Sequence, residues 1–224
     1  MREAGSESWS VTVGGEQMEH AVLYVRDAYQ LTPPASPDNP PPLADGVTVA
    51  ALSLHGQDHA DASAAWLEWW RRVVRFECAT SRIPTNRAMR DPGQRQAQLR
   101  ARDTVFDPPT FESLGASSAL QLAAQRINRD ALGWWNRERA FAGRPAEWQD
   151  AKGVAEEMID TYQVSPSRVH ATIVVLSVAR EWSLFPAPGV AMCSASVIAD
   201  SNLYVPLLRR AFESGLSTTR PQAD

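Results

Sequence analysis

The ligand-type residues that lie closest together in this chain are His55, Asp58 and His59, in the run His55-Gly56-Gln57-Asp58-His59-Ala60-Asp61. Imidazole and carboxylate are the groups that Zn²⁺ and similar ions take, and the run falls where a predicted strand gives way to a predicted helix. Read as a metal site, it would make the chain a metal-dependent enzyme. Two observations weigh against that reading. The H-x-x-D-H spacing lies outside the known metallohydrolase patterns, and only His20 and His170 remain to complete a coordination sphere. The competing reading is structural: Asp58 or Asp61 caps the following helix by accepting from its first free N–H groups, and no cofactor is required.

Other catalytic signatures are missing from the sequence. There is no G-x-S-x-G, no S-x-x-K and no G-x-G-x-x-G, and the single lysine, Lys152, follows no phosphate-binding loop. Cys78 and Cys193 are too few for a disulfide framework and lack metal-type spacing. Arg75 and Arg82 lie near Cys78 and would favour its thiolate, yet a lone cysteine at a helix end is more often inert. The expectation leans away from an enzyme.

Charge is distributed unevenly. Residues 1–68 hold two basic and ten acidic groups, whereas residues 69–102 hold nine basic and two acidic. The nine are Arg71, Arg72, Arg75, Arg82, Arg87, Arg90, Arg95, Arg100 and Arg102. Such a run can neutralise several phosphates, which makes nucleic acid one candidate partner. Aromatic residues for base stacking are scarce beside it, with only Phe76 and Phe106 at its margins. The alternative is pairing with the acidic first 68 residues, within the chain or between copies. Arginine outnumbers lysine twenty-one to one along the whole chain. GC-rich coding explains that excess as well as a demand for bidentate recognition does.

Tryptophan supplies the third candidate surface. Trp66, Trp69 and Trp70 lie in a stretch whose apolar positions Trp66, Leu67, Trp70, Val73 and Val74 share one side of a helix. Trp69 and Trp70 are about 100° apart on that helix, so the three indoles cannot all face one way. Trp66, Trp69 and Trp134 are therefore candidates for an interface, where tryptophan serves as an anchor. Leu67-x-Trp69-Trp70-x-Arg72 recurs as Leu132-x-Trp134-Trp135-x-Arg137, an echo consistent with either an internal duplication or two Trp-rich core helices.

The elements that would position these residues follow from periodicity. Trp9–Val13 alternates as a strand, and residues 16–31 carry Met18, Ala21, Val22, Val25 and Tyr29 at helical spacing. Residues 32–44 are Pro-rich and exclude regular structure, giving a loop or tether. Gly46–Leu54 reads as a buried strand and residues 59–78 as the Trp helix. Residues 80–110 form an Arg-rich irregular segment with room for one helix from Gln94 to Val105. Helices are predicted over 117–141 and 146–162, a β-branched strand over 169–178, a connection at 181–188, a returning strand over 190–199, and a closing helix over 203–214. The fold class is α+β: one domain over residues 1–224, its helices on one face of a small, mostly antiparallel sheet, with a C-terminal hairpin and a closing helix.

The longest largely apolar run, Ala171–Ala179, is far short of the about 20 residues a bilayer crossing needs, and the first residues lack the apolar core of a signal peptide. Together these features predict a non-catalytic cytoplasmic protein acting by protein association, as a homo-oligomer or an adaptor, through its Trp-rich helices and charge-complementary surface.

Overall fold

The computed structural model describes residues 8–15, 17–44, 47–50, 53–81, 92–115, 118–141 and 148–217. Among them the chain forms β1 (Ser10–Gly14), α1 (Gln17–Ala28), α2 (Gly56–Thr80), α3 (Pro92–Asp103), α4 (Ser118–Phe141), α5 (Trp148–Tyr162), β2 (His170–Leu176), β3 (Ser183–Ala187), β4 (Val190–Ser194), α6 (Ala195–Ala199) and α7 (Ser201–Ser217). These elements group into two compact units. A sheet unit comprises Met1–Gly15, Gly143–Leu176 and Glu181–Asp224; a helical unit comprises Glu16–Ala142 and Ser177–Arg180. The class is α+β with a C-terminal hairpin and a closing helix. β1 of the sheet unit pairs with β2, which comes after Glu16–Ala142 of the helical unit in sequence.

The sheet has the order β1-β2-β4-β3. β1 runs parallel to β2 and β2 parallel to β4, and only β3 and β4 are antiparallel. The sheet is thus mixed, where a mostly antiparallel one was expected. The reason lies in residues 181–188, expected as a plain connection, which instead contain β3. Gly189, at φ 77, closes a tight reversal between β3 and β4, so the hairpin partner of β4 is its immediate predecessor. β2, on the opposite side of β4, then runs parallel to it. Residues 195–199, expected to extend the returning strand, form α6.

Register places one set of apolar side chains together on one face of the sheet. Val11 pairs with Ala171, Val13 with Ile173, Ile173 with Ala191 and Val175 with Cys193. Paired residues share a face, and this set packs with Ala155 and Met158 of α5, Val197 and Ile198 of α6, and Leu208, Ala211 and Phe212 of α7. α5, α6 and α7 thus cover this face, while Val174, Leu176, Val190 and Met192, on the other face, are buried as well. β4 is buried at all five positions, so both of its faces are covered. α7 docks against the hairpin turn by close backbone approach. A Cβ on Gly215 would stand 3.3 Å from Gly189 Cα, and Ser214 Oγ accepts from Gly189 N–H at 3.0 Å.

In the helical unit, α2 is enclosed on three sides. Trp66 donates its indole N–H to Val22 O of α1 at 2.8 Å, Trp69 to Val105 O at 2.8 Å and Trp70 to Asp38 O at 2.9 Å. Three indoles splayed around one helix therefore fasten three different segments. The Pro-rich stretch is one of them, and it is a strap rather than a tether. The Arg26 guanidinium, 5.2 Å above the Trp66 ring, donates to Pro40 O at 2.6 Å and Pro41 O at 2.8 Å. Asp27 accepts from Leu43 N–H at 2.7 Å, and Leu43 bridges to Val178. Gly46–Leu54, expected as a buried strand, forms none over its described residues 47–50 and 53–54. Val49 is 56% exposed, and Ala50 N–H bonds to Ala28 O at the end of α1 instead of to a neighbouring strand.

Candidate functional site

α3 buries none of its residues. It lies beside α2, and between them opens a cleft of about 310 Å³ lined by Met18, Phe76, Glu77, Thr80, Arg95, Gln98, Leu99 and Arg102. Arg95, Gln98, Leu99 and Arg102 stand at i, i+3, i+4 and i+7, one face of α3. Phe76 and Thr80 are one turn apart on α2. Met18, 2% exposed, forms part of the floor, whereas Leu99 remains 48% exposed. The Thr80 hydroxyl is turned to its own helix, donating to Phe76 O at 3.0 Å or Glu77 O at 3.1 Å, so the walls of the cleft act mainly through apolar surface. Two guanidinium groups against the single Glu77 carboxylate leave the cleft cationic. A volume of this size is at the small end of ligand sites, roughly 300 Å³ and above, and admits one large side chain or a short turn of chain.

The arginine run divides sharply. Arg71 pairs with Asp38 at 3.6 Å and Arg75 with Glu68 at 2.8 Å, both partners belonging to the acidic first 68 residues. Arg72 donates to Ser113 O at 3.0 Å, and the Arg102 guanidinium sits 5.6 Å over the Phe106 ring. Arg95 and Arg100 project from α3 without an ion pair among the described residues. Arg82, Arg87 and Arg90 lie outside the described residues. The two ion pairs are exposed and worth little in stability, about 0–1 kcal/mol each, but they take up cations that a phosphate backbone would need.

The tryptophans proposed for an interface are core. Trp66 and Trp69 are 0% exposed and Trp134 is 1% exposed. Trp69 packs against Phe106 at 6.4 Å and edge-on to Phe111 at 5.9 Å, and Trp134 lies 6.0 Å from Tyr24. None of the three is offered at the surface, because the segments wrapped around α2 and α4 cover indoles that a helix alone would leave on two sides.

The residues of the proposed metal site do not converge. α2 begins at Gly56, whose φ of 53 favours glycine, so His55 is the N-cap residue and no side chain caps the helix. Asp58 therefore lies inside the first turn, where its charge meets the helix N-terminus, and Asp61 accepts from Gln57 at 2.7 Å; the expected cap by either carboxylate is not formed. His55 and Asp58 are exposed, while His59 Nε2 is 3.1 Å from Gln30 O. His20 is buried in α1 with its ring 4.3 Å from Trp135, and its Nε2 accepts from Ser177 N–H at 3.2 Å. Among the described residues no group of three His, Cys, Asp or Glu side chains is placed to hold a metal ion.

Cys193 is likewise unsuited to nucleophilic chemistry. Burial in the sheet core pushes its thiol up to about 12, which keeps it protonated. Burial, together with the neighbouring Cys193 and Asp150, pushes the Tyr204 phenol up to about 12 as well.

Sequence reasoning singled out Arg95 and Arg102 but not Met18, Phe76, Thr80, Gln98 or Leu99. The signal was present in part: an apolar residue flanked by arginines at helical spacing, on a helix otherwise too polar to bury a face. Comparison with protein-family models, curated proteins and solved structures finds no match for this chain. No helix among the described residues is long and apolar enough to cross a membrane.

Proposed function

We propose that this protein acts by binding a segment of another protein in the cleft between α2 and α3. An apolar side chain of the partner would rest on Met18, Phe76 and Leu99, and a carboxylate beside it would be drawn to Arg95 and Arg102. The observation that carries this reading is Leu99: a large apolar side chain, half exposed, on a helix that buries nothing, between two arginines. A helix of 12 residues is marginal without tertiary support, and a partner covering Leu99 would supply it. The role is non-catalytic. It keeps the charge-complementary half of the sequence expectation and moves the anchor from the tryptophans to the cleft. A short acidic segment is favoured over nucleic acid because three of the arginines that would serve a phosphate backbone, Arg71, Arg72 and Arg75, are engaged by the chain itself.

The test is selection of a displayed random-peptide library on the purified chain, followed by fluorescence titration of the selected peptides. The expected peptides place a large apolar residue next to Asp or Glu. Their affinity falls roughly tenfold or more in Leu99→Glu and in Arg95→Glu, with the thermal midpoint unchanged. Peptides without acidic residues, or binding indifferent to Leu99→Glu, would remove the cleft as the site. Labelled mixed-sequence DNA bound with a steep salt dependence and lost in Arg95→Glu would instead establish the nucleic-acid reading.

A further inference from the structure

β1 and β3 are the two edges of the sheet, and they differ in how they face a passing strand. β3 contains Pro186, which has no N–H, and its pairing with β4 is irregular between Leu184 and Ala187. Both features are devices that prevent edge-to-edge pairing. β1, Ser10-Val11-Thr12-Val13-Gly14, has no charge, no proline and no irregularity in its register with β2.

The hydrogen-bonding parity of β1 identifies what its outer edge offers. Ser10 N–H donates to Val169 O at 3.0 Å. Backbone groups alternate in direction along a parallel strand, so Ser10, Thr12 and Gly14 address β2. Val11 and Val13 turn their N–H and C=O groups outward, and among the described residues nothing pairs with them. Their side chains are half-buried against the helix-covered face, while those of Ser10 and Thr12 are exposed.

We infer that β1 pairs with β1 of a second copy of this chain, antiparallel about a two-fold axis at Thr12. The sequence is self-complementary about that residue, as an isologous contact requires. Val11 of one copy exchanges two N–H···O bonds with Val13 of the other, and the reverse pair makes two more. Thr12 faces Thr12 in a pair without hydrogen bonds, and Ser10 faces Gly14. The valines meet on the helix-covered side and extend the apolar face from one copy into the next. Registers that pair odd with even positions fail, because Thr12 has already spent its backbone groups on β2. The surface involved is separate from the cleft, and the inference does not depend on the reading given for it.

Sedimentation equilibrium of the full chain over a wide concentration range tests the contact, with three variants at two exposed positions that leave the β1–β2 bonds intact. A monomer–dimer equilibrium is expected, and Thr12→Lys, which sets two ammonium groups directly opposite each other, raises the dissociation constant roughly tenfold or more. Under mild oxidation Thr12→Cys gives a disulfide-linked dimer, because the non-hydrogen-bonded pair brings its Cβ atoms close, whereas Ser10→Cys, which faces Gly14, does not. Circular dichroism of each variant matching the parent shows that the fold is retained. A monomer at every concentration, a dimer indifferent to Thr12→Lys, or Ser10→Cys cross-linking as fast as Thr12→Cys would each overturn the proposal.

Discussion

In the helical unit the largest core side chains are indoles, and Trp66, Trp69 and Trp70 each satisfy the backbone of a different neighbouring segment. In the sheet unit the core is mainly aliphatic, with a thiol and a phenol among it, and backbone groups are satisfied along the strand ladder. The contrast shows two ways of ordering chain. Irregular segments such as the Pro-rich strap are held where side-chain donors reach their carbonyls. The sheet unit instead depends on register and on keeping Cys193 and Tyr204 uncharged.

The largest expected effect tests the first half of that contrast. Trp69→Ala removes a fully buried indole and leaves Val105 O without its donor, and should destabilise the chain by about 3–5 kcal/mol in chemical denaturation. Ile173→Val in the sheet unit should cost about 1 kcal/mol. Similar losses for the two would show that the indoles do not have the organising role assigned to them. Next in size is Arg26→Met, which keeps the stem but leaves the Pro40 and Pro41 carbonyls unpaired. About 2 kcal/mol of destabilisation is expected, with protease cleavage appearing within residues 32–44. A strap as resistant as before would mean that Trp70 and Asp27 hold it alone.

The smallest effect sharpens the other half. In the folded sheet unit both Cys193 and Tyr204 keep their protons up to about pH 12, whereas the unfolded chain releases them near their ordinary values of 9.0 and 10.0. Across that window the folded state binds more protons, so stability falls as pH rises. The expected slope is on the order of 1 kcal/mol per pH unit for each group once its unfolded value is passed. Hydrogen exchange of β2 and β4 amides between pH 8 and pH 11 (roughly one unit below the first value and one above the second), after correction for the intrinsic rate, should report it. Cys193→Ala should flatten the first part of the decline, and an unchanged profile in that variant would exclude the thiol as a cause.

Local pattern sufficed for much of this protein. α4 is an example: Leu120, Ala123, Ala124, Ile127, Ala131, Trp134 and Trp135 share a face in sequence, and all but the half-buried Trp135 are buried in the structure. The same holds for α1, for the β-branched strand around Val174 and for the closing helix, since periodicity reports which residues of an element turn inward. Periodicity does not report what lies opposite. Whether Trp69 anchors a partner or a core depended on the segment from Val105 to Phe111 returning across α2. Whether Arg71 is a free cation depended on Asp38 being within reach. Gly46–Leu54 has the composition of a strand, but its described residues 47–50 and 53–54 meet no strand edge, and an extended segment without a ladder partner does not become one. β1 lies beside β2 although Glu16–Ala142 of the helical unit separates them in sequence. The sequence by itself determined the elements and their inward faces, because those follow from bonds and side chains a few residues apart. The tertiary structure alone decided strand partners, the mixed sheet and the α2–α3 cleft, because each depends on contacts between residues distant in the chain.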